Sequence, residues 1–419
     1  MFYRHDMSQA FPNSDLPVGK YQSAAADAAR SLASRLCEPT YNCLNLALQD
    51  ADLAPIEALA ADWRLRYRDV IVIGIGGSSL GARSLVEPLG GARPRLIFVD
   101  NVEVLTLEPL LRGLDAARTG LLLVSKSGST AEVLAQALVA LRHFEASLGR
   151  ERIAGHVAAI TGPGQNALRQ LAGRWSAPVF DHDPHVDGRY SVLTNVGLLP
   201  AFLAGIDAQA VRIGARSVIE ALRAAPDQCP AAAGAAWQVA YEREGRAATT
   251  VLVPYDARLA NLAKWHRQIW AESLGKNGGG LTPQAALGPV DQHSQLQQWL
   301  DGMPDKVFTV VVPELAGQGA TIPSELLADG LDYLKGRTLG DLVAAEARAT
   351  LATLARNHRP LRTIWLPKID AATLGALFAH YIVETILAAA LLGVDPFGQP
   401  AVEEGKTLTR EYLRSGRVR

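Results

Sequence analysis

The sequence predicts an α/β protein with two domains, each a mainly parallel sheet flanked by helices in a three-layer αβα arrangement. Short apolar runs alternate with alanine-rich segments of helical spacing, which is typical of parallel strands covered by helices on both faces. A helical passage from 207 to about 245 interrupts this alternation, which then resumes. At roughly 150 residues per domain, a chain of 419 residues has room for two or three domains.

We divide the chain into four parts. They are an N-terminal helical arm at 1–50, a first domain at 51–205, a second domain at 206–395, and a C-terminal helix with a basic tail at 396–419. In the arm, alanine and leucine occur at helical spacing from 24 to 48. Strands are predicted in the first domain at 70–75, 95–99, 121–124, 152–160 and 178–180, and in the second domain at 249–254, 306–312 and 362–366.

Composition and charge exclude several classes of protein. Hydrophobic residues make up 48% of the chain and charged residues 20%, which is ordinary for a globular protein with large cores. The formal net charge of −1 provides no field for binding nucleic acid or an acidic membrane. Three scattered cysteines, Cys37, Cys43 and Cys229, are too few for a disulfide framework or a metal cluster and favour a reducing, cytoplasmic location.

Neither a signal peptide nor a membrane span is expected. The first twenty residues are polar and contain no apolar core. The longest apolar run, at 381–394, includes Glu384 and is shorter than the about 20 residues that cross a bilayer. We predict a buried helix there.

A glycine-rich turn follows the first predicted strand. Its sequence, GIGGSSLG, satisfies neither the dinucleotide fingerprint nor the P-loop pattern, because the third glycine of the former and the lysine of the latter are missing. Gly77 still allows the backbone to approach a ligand closely, and Ser78 lies where a helix begins. A plain glycine turn is an equal alternative.

The loop after the 121–124 strand has the sequence SKSGST. Ser129 and Glu132 match the reciprocal capping pattern at a helix start. The remaining free amides of that turn, together with the helix dipole, favour an anion, and the hydroxyls of Ser125, Ser127 and Thr130 surround the same place. The sequence therefore suggests a phosphate site, although for this loop taken alone a well-capped βα turn is the favoured explanation.

A polar loop at 181–191 contains two histidines and three aspartates within seven residues. Its proline gives no helical ligand spacing, so solvent-facing polar residues explain it better than a metal site. Arg189 follows a glycine, and its planar guanidinium suits a phosphate or a developing oxyanion. A surface salt bridge is the alternative.

Two further side chains are candidates for acid–base chemistry. Glu272 lies near the C-terminus of a predicted helix, where the dipole disfavours an ionised carboxylate, and this suits a general base. An ordinary ion pair with Lys276 is its alternative. His293 lies in a turn and titrates in the physiological range, although a lone histidine is more often structural.

Six segments together resemble a known family. In order, GIGGSSLG, SKSGST, GRYS, ESLGK, DQHS and QPAVEEGK are similar to the motifs of the glucose-6-phosphate isomerase family, over about residues 70–410. The resemblance implies two sugar-isomerase-type domains and a homodimer with active sites at the subunit boundary. It also implies reversible conversion of glucose 6-phosphate to fructose 6-phosphate without a metal or organic cofactor.

The same resemblance assigns roles to individual residues. Glu272 would move the proton between carbons 2 and 1, Arg189 would face the enediolate oxygen, and His293 and Lys406 would assist ring opening. His293 would come from the neighbouring subunit, and Lys406 could pair with Glu132. Substrate binding would fall to Gly77, Ser78, Ser125, Lys126, Ser127, Thr130 and Gln399.

Four positions depart from the family pattern, namely Asp187, Asn195, Gly398 and Ala401. They affect the expected loop geometry and sugar preference more than the reaction class, and Asp187 can pair with Arg189 and weaken its charge. Two alternative functions are an isomerase of another sugar phosphate, such as mannose 6-phosphate, and a non-catalytic sugar-phosphate sensor. A sensor needs no base, so the joint presence of the four catalytic residue types argues against it.

Overall fold

The computed structural model describes residues 2–12, 15–91 and 93–416, and this part of the chain forms two five-stranded sheets flanked by helices. The predicted α/β class is confirmed. The strands are β1 (Arg4–Asp6), β2 (Asp69–Ile73), β3 (Arg95–Val99), β4 (Thr119–Ser125), β5 (Val157–Thr161), β6 (Val179–Asp181), β7 (Thr249–Pro254), β8 (Thr282–Ala285), β9 (Lys306–Pro313) and β10 (Leu361–Leu366).

The helices lie mostly between consecutive strands. They are α1 (Val18–Arg35), α2 (Asn42–Asn45), α3 (Leu53–Arg66), α4 (Leu80–Leu89), α5 (Leu107–Gly113), α6 (Ala131–Leu148), α7 (Ala167–Gly173), α8 (Asn195–Leu203), α9 (Ala208–Ala224), α10 (Pro230–Arg243), α11 (Ala260–Leu274), α12 (Val290–Ser294), α13 (Leu296–Asp301), α14 (Leu339–Arg356), α15 (Ala371–Leu392) and α16 (Glu403–Ser415).

The first sheet is parallel throughout, in the order β3-β2-β4-β5-β6. Every residue of β2, β4 and β5 is buried, as expected of apolar strands covered on both faces. Because β2 and β4 are parallel neighbours, their carboxyl ends lie at one edge of the sheet. The glycine-rich turn and the SKSGST loop therefore leave the sheet side by side.

The second sheet has the order β1-β10-β9-β7-β8 and is parallel except for β1. Neither β1 nor β8 is predicted by the sequence. β1 has only three residues, all polar, and β8 includes a proline, which is tolerated because this strand lies at the sheet edge. Both strands form because neighbouring strands supply their hydrogen-bond partners.

Two local predictions were wrong. The helical run expected from 24 to 48 ends at Arg35, since Pro39 starts a separate 3-10 turn before α2. The strand expected from 152 begins only at Val157, because Ile153–His156 is a 3-10 turn whose Gly155 carbonyl accepts hydrogen bonds from Arg66 and Tyr67. The domain boundaries stay predictions, and the end of the basic tail, 417–419, lies outside the described residues.

The apolar helix α15 is longer than the run identified in the sequence. Its 22 residues would be enough to cross a bilayer, so the prediction that this segment is too short for a membrane span was wrong. However, 89% of its most apolar 18-residue stretch is buried against the rest of the chain, including α9, α10 and α11. The predicted buried helix is confirmed: α15 is the central helix of the core.

Candidate active site

The SKSGST loop encloses a cluster of hydroxyls at the carboxyl end of β4. The Thr130 hydroxyl lies 2.9 Å from the Ser125 hydroxyl and 3.3 Å from that of Ser127. Thr130 is the N-cap residue of α6. The predicted capping by Ser129 was wrong, because its hydroxyl instead donates to the Ser127 hydroxyl at 3.2 Å.

The first turn of α6 is consequently available to a ligand. No side chain within the described ranges caps this turn, since the Thr130 hydroxyl is held by its serine neighbours. Gly128 adopts a φ of +62°, which turns the loop back toward the helix start. The loop thus presents hydroxyls and amides to one place, as expected of an anion site.

The glycine-rich turn contacts the loop that carries Arg189. Gly77 lies in a 3-10 turn, Gly76–Ser78, and packs against Gly188 so closely that a Cβ on Gly77 would lie 2.1 Å from the Gly188 carbonyl carbon. Ser78 is half-buried in the same turn. The glycines therefore bring two loops together, a role that the sequence did not predict.

Arg189 is fully buried and is surrounded by acceptors, so the alternative of a surface salt bridge was wrong. Its Nε donates to the Ser273 hydroxyl at 2.8 Å, and its Nη2 donates to the Pro396 carbonyl at 2.7 Å. Nη1 donates to Gln399 Oε1 at 2.7 Å and to Glu272 Oε2 at 3.3 Å. The guanidinium consequently forms hydrogen bonds with residues that are far apart in the sequence.

Glu272 lies in the last turn of α11, and its side chain is 32% exposed. Gln268, one turn earlier on the same face, donates to Glu272 Oε1 at 2.9 Å; its spacing of four residues could have identified it in the sequence. The pairing of Glu272 with Lys276 is not formed. Lys276 Nζ donates instead to the carbonyls of Asp395 and Phe397, and its burial lowers its pKa.

Asp187 connects the hydroxyl loop to the arginine. Its Oδ1 accepts from Lys126 Nζ at 3.0 Å, and its Oδ2 accepts from the Gly398 amide at 2.8 Å and lies 3.3 Å from Arg189 Nη2. Burial opposes ionisation of this carboxyl, but the amide and the two cations outweigh it and hold its pKa below the usual range. The predicted pairing of Asp187 with Arg189 is confirmed.

Two predicted catalytic residues lie apart from this cluster. His293, in α12, and Lys406, in α16, are exposed. Lys406 Nζ donates to Glu403 Oε1 at 2.7 Å and, within the described residues, forms no ion pair with Glu132. A single copy of the chain thus brings Glu272, Arg189, Gln399 and the hydroxyl loop together, but it does not add His293 or Lys406 to them.

The histidines and aspartates of the 181–191 loop form no metal centre in the described part of the chain, where no group of three or more potential ligands occurs. His182 is buried rather than facing solvent, which corrects the expectation for this loop. Its Nδ1 lies 2.9 Å from the Asp183 carbonyl oxygen, and burial lowers the pKa of the ring. His182 is therefore a structural residue.

Known proteins are similar to this chain in sequence and in structure. The family model described as phosphoglucose isomerase matches residues 63–286. A glucose-6-phosphate isomerase of Rubrobacter xylanophilus is 38% identical over 361 residues, which cover 83% of each chain.

Two solved structures are similar over nearly the whole chain. A hypothetical protein from Thermus thermophilus has a TM-score of 0.86 at 33% identity and covers 98% of this chain and 99% of its own. A glucose-6-phosphate isomerase from Chlamydia trachomatis has a TM-score of 0.81 at 19% identity, covering 96% and 86%, and supports the fold alone. The resemblance seen in the six motifs is confirmed, and the chain belongs to the phosphoglucose isomerase family.

Proposed function

We propose that the chain catalyses the reversible conversion of glucose 6-phosphate to fructose 6-phosphate. A sugar-phosphate substrate fits the family to which the chain belongs. The observation that carries the proposal is the series of contacts from Lys126 through Asp187 and Arg189 to Glu272, each between 3.0 and 3.3 Å. This series joins the anion loop to the carboxylate, the two ends between which a hexose phosphate would lie.

The phosphate group is bound at the carboxyl end of β4. The hydroxyls of Ser125, Ser127 and Thr130 and the free amides at the start of α6 supply donors, and Lys126 supplies a positive charge. Gly77 and Ser78 contribute to substrate binding from the neighbouring glycine-rich turn, where Gly77 packs against Gly188. Binding at one end leaves the sugar carbons free to extend toward Glu272.

Glu272 is the base in the proposed mechanism. Its carboxylate removes the proton from carbon 2 of the open aldose, which leaves an enediolate, and returns that proton to carbon 1. Gln268 orients one carboxylate oxygen, while the other stays close to Arg189. A base placed in this way typically contributes about 10² to 10⁴ in rate.

Arg189 stabilises the negative charge of the enediolate in this mechanism. Its bonds to Ser273, Gln399 and the Pro396 carbonyl hold the guanidinium in place before the reaction begins, so little reorganisation is needed when the charge develops. Because arginine does not lose its proton, the charge is present at every working pH. Gln399 then lines the sugar beside the same group.

Ring opening is assigned to His293 and Lys406, which are exposed in one copy of the chain. We therefore propose a cytoplasmic homodimer in which His293 reaches the site of the neighbouring subunit. A proton donor and an acceptor are both needed to open the hemiacetal, and an imidazole with an ammonium group can fill these two roles.

The activity is tested with an assay that couples glucose 6-phosphate formation from fructose 6-phosphate to a dehydrogenase. Turnover that persists after chelator treatment supports the proposed metal-independent reaction, whereas loss of turnover contradicts it. Mannose 6-phosphate serves as the competing substrate. A higher kcat/KM for mannose 6-phosphate would replace the proposal with the alternative isomerase.

The shared site is tested by mixing two inactive variants, His293→Ala and Glu272→Gln, and allowing subunits to exchange. If His293 acts across the interface, each mixed dimer contains one intact site, and random exchange restores about a quarter of the wild-type activity. If His293 acts within its own subunit, every site still contains one of the two substitutions, and no activity returns. Mixing His293→Ala with itself is the control.

A further inference from the structure

Asp187 lies between the lysine of the SKSGST loop, Arg189 and the turn that carries Gln399. It is not among the residues to which the proposed mechanism gives a catalytic or substrate-binding role. Its side chain is only 20% exposed, and both oxygens are used: Oδ1 by Lys126, and Oδ2 by Gly398 and Arg189. A carboxylate with three such partners is an integral part of the site.

Lys126 has one acceptor among the described residues, and that acceptor is Asp187. The same lysine belongs to the loop whose hydroxyls and amides are suited to a phosphate. A phosphate beside this loop and the Asp187 carboxylate are both negative and both attracted to one ammonium group. Because Lys126 Nζ lies 3.0 Å from Asp187 Oδ1, it has to leave this carboxylate in order to contact a phosphate.

The second oxygen of Asp187 holds the turn that carries Gln399. The Gly398 amide donates to it at 2.8 Å, while the carbonyls of Pro396 and Phe397 accept from Arg189 and Lys276 at 2.7 and 2.8 Å. When Lys126 moves to phosphate, Asp187 keeps its bonds to this turn and to Arg189. One carboxylate thus connects the phosphate end of the site with the sugar end.

We propose that Asp187 is an internal counter-ion that competes with the substrate's phosphate for Lys126 and thereby sets the affinity of this site for sugar phosphates. The inference rests on the proposed function, because it assumes that phosphate binds at the SKSGST loop. Asp187 is a positioning and affinity-setting residue, and it takes no part in proton transfer. Asp187 lowers the affinity for phosphate, and this loss is offset because Asp187 also aligns the turn at 395–399.

The test measures inorganic phosphate binding to Asp187→Asn by calorimetry. Asparagine retains an oxygen acceptor for the Gly398 amide but removes the negative charge. We expect phosphate to bind roughly 3- to 30-fold more tightly, the range for a charged hydrogen bond weakened by partial exposure to solvent. The same gain should appear as a lower KM for glucose 6-phosphate, since the phosphate is bound alike in ground and transition states.

Asp183→Asn is the matched control. Asp183 lies in the same loop, accepts from Asn42 at 2.9 Å and from the His185 amide at 2.8 Å, and its replacement removes the same charge. It should leave phosphate affinity nearly unchanged. In a Lys126→Met background, Asp187→Asn should lose most of its effect, as a double-mutant cycle requires.

Phosphate affinity that is unchanged or weaker in Asp187→Asn overturns the inference. An equal gain in Asp183→Asn overturns it too, because a general change of charge would then explain the result. Failure of the proposed function is read separately, from the turnover of glucose 6-phosphate by the unmodified chain. Phosphate binding can therefore support the role of Asp187 even if the favoured sugar differs.

Discussion

Two arginine–glutamate pairs in this molecule are built differently. Arg362 and Glu384 are both fully buried and form two parallel contacts of 2.7 and 2.9 Å, and His380 Nε2 adds a third at 3.0 Å. Arg189 and Glu272 have one contact of 3.3 Å, and the glutamate remains 32% exposed. The first pair lies in the core and joins β10 to α15, and the second joins the Arg189 loop to the last turn of α11.

The difference explains which carboxylate can take part in chemistry. Burial opposes ionisation of Glu384, but the Arg362 charge and His380 outweigh it and hold its pKa far below the usual range. Its oxygens are fully occupied, so it has no capacity to accept a proton from a substrate. Glu272 has one weak contact to its arginine and an open side, which a base requires. The geometry therefore makes Arg362–Glu384 a structural pair and leaves Glu272 able to act as the proposed base.

Replacing Glu272 with Gln gives the largest expected effect. The kcat for glucose 6-phosphate should fall by about 10² to 10⁴, because the amide cannot accept the substrate proton. The melting temperature should change little, since Glu272 is partly exposed and makes only weak contacts. Steady-state kinetics and thermal melting together measure both quantities. Glu57→Gln, on an exposed face of α3, is the control, and unchanged turnover in Glu272→Gln would reject its role as base.

Replacing Glu384 with Ala should have the opposite profile. The free energy of unfolding is expected to fall by about 3–5 kcal/mol, because a buried arginine is left without its counter-ion. Denaturant titration measures this loss, and kcat per folded molecule should stay within the range of the unmodified chain. The double variant Arg362→Met with Glu384→Leu should recover much of the stability. A loss below about 1 kcal/mol in Glu384→Ala would place this pair among ordinary surface ion pairs.

Acid should destabilise the core around the Arg362–Glu384 pair. Burial lowers the pKa of His266 to about 4, so this ring is neutral in the folded chain at a pH where the unfolded chain binds a proton. Stability is complete above pH 6.5 and is lost as the pH falls toward 4, by up to about 1.4 kcal/mol per pH unit for one such ring. Measuring the free energy of unfolding from pH 7.5 to 4.5 gives its slope against pH. This slope should decrease in His266→Gln, and an unchanged slope would show that other titrating groups cause it.

The smallest expected effect comes from Tyr3→Phe. The Tyr3 hydroxyl lies 2.8 Å from His380 Nδ1 within the core and links the N-terminal segment to α15. Losing one buried hydrogen bond should lower the free energy of unfolding by about 1 kcal/mol. Tyr333→Phe, at a residue that is 68% exposed, should change it by much less. Equal effects of the two changes would show that the Tyr3 hydroxyl contributes nothing specific.

The local sequence pattern was sufficient to predict most of the strands and to identify the segments that form the candidate site. The apolar runs at 121–124 and 249–254 lie in β4 and β7, since burial on both faces leaves a continuous hydrophobic signal. The SKSGST loop was correctly predicted to precede a helix, because serine and threonine are preferred at helix N-caps. Its capping residue was misassigned, because the partners of the Thr130 hydroxyl depend on how the loop folds.

The sequence by itself determined the α/β class, the family, and the residue types that carry out acid–base and anion chemistry, because these depend on order and spacing along the chain. Only the tertiary structure decided that Arg189 contacts Gln399, 210 residues away, and that Asp187 holds Lys126 and Gly398 together. It also decided that β1 pairs with β10 at the edge of the second sheet. Such contacts follow from how helices and sheets pack, and packing is a property of the whole chain that no local pattern contains.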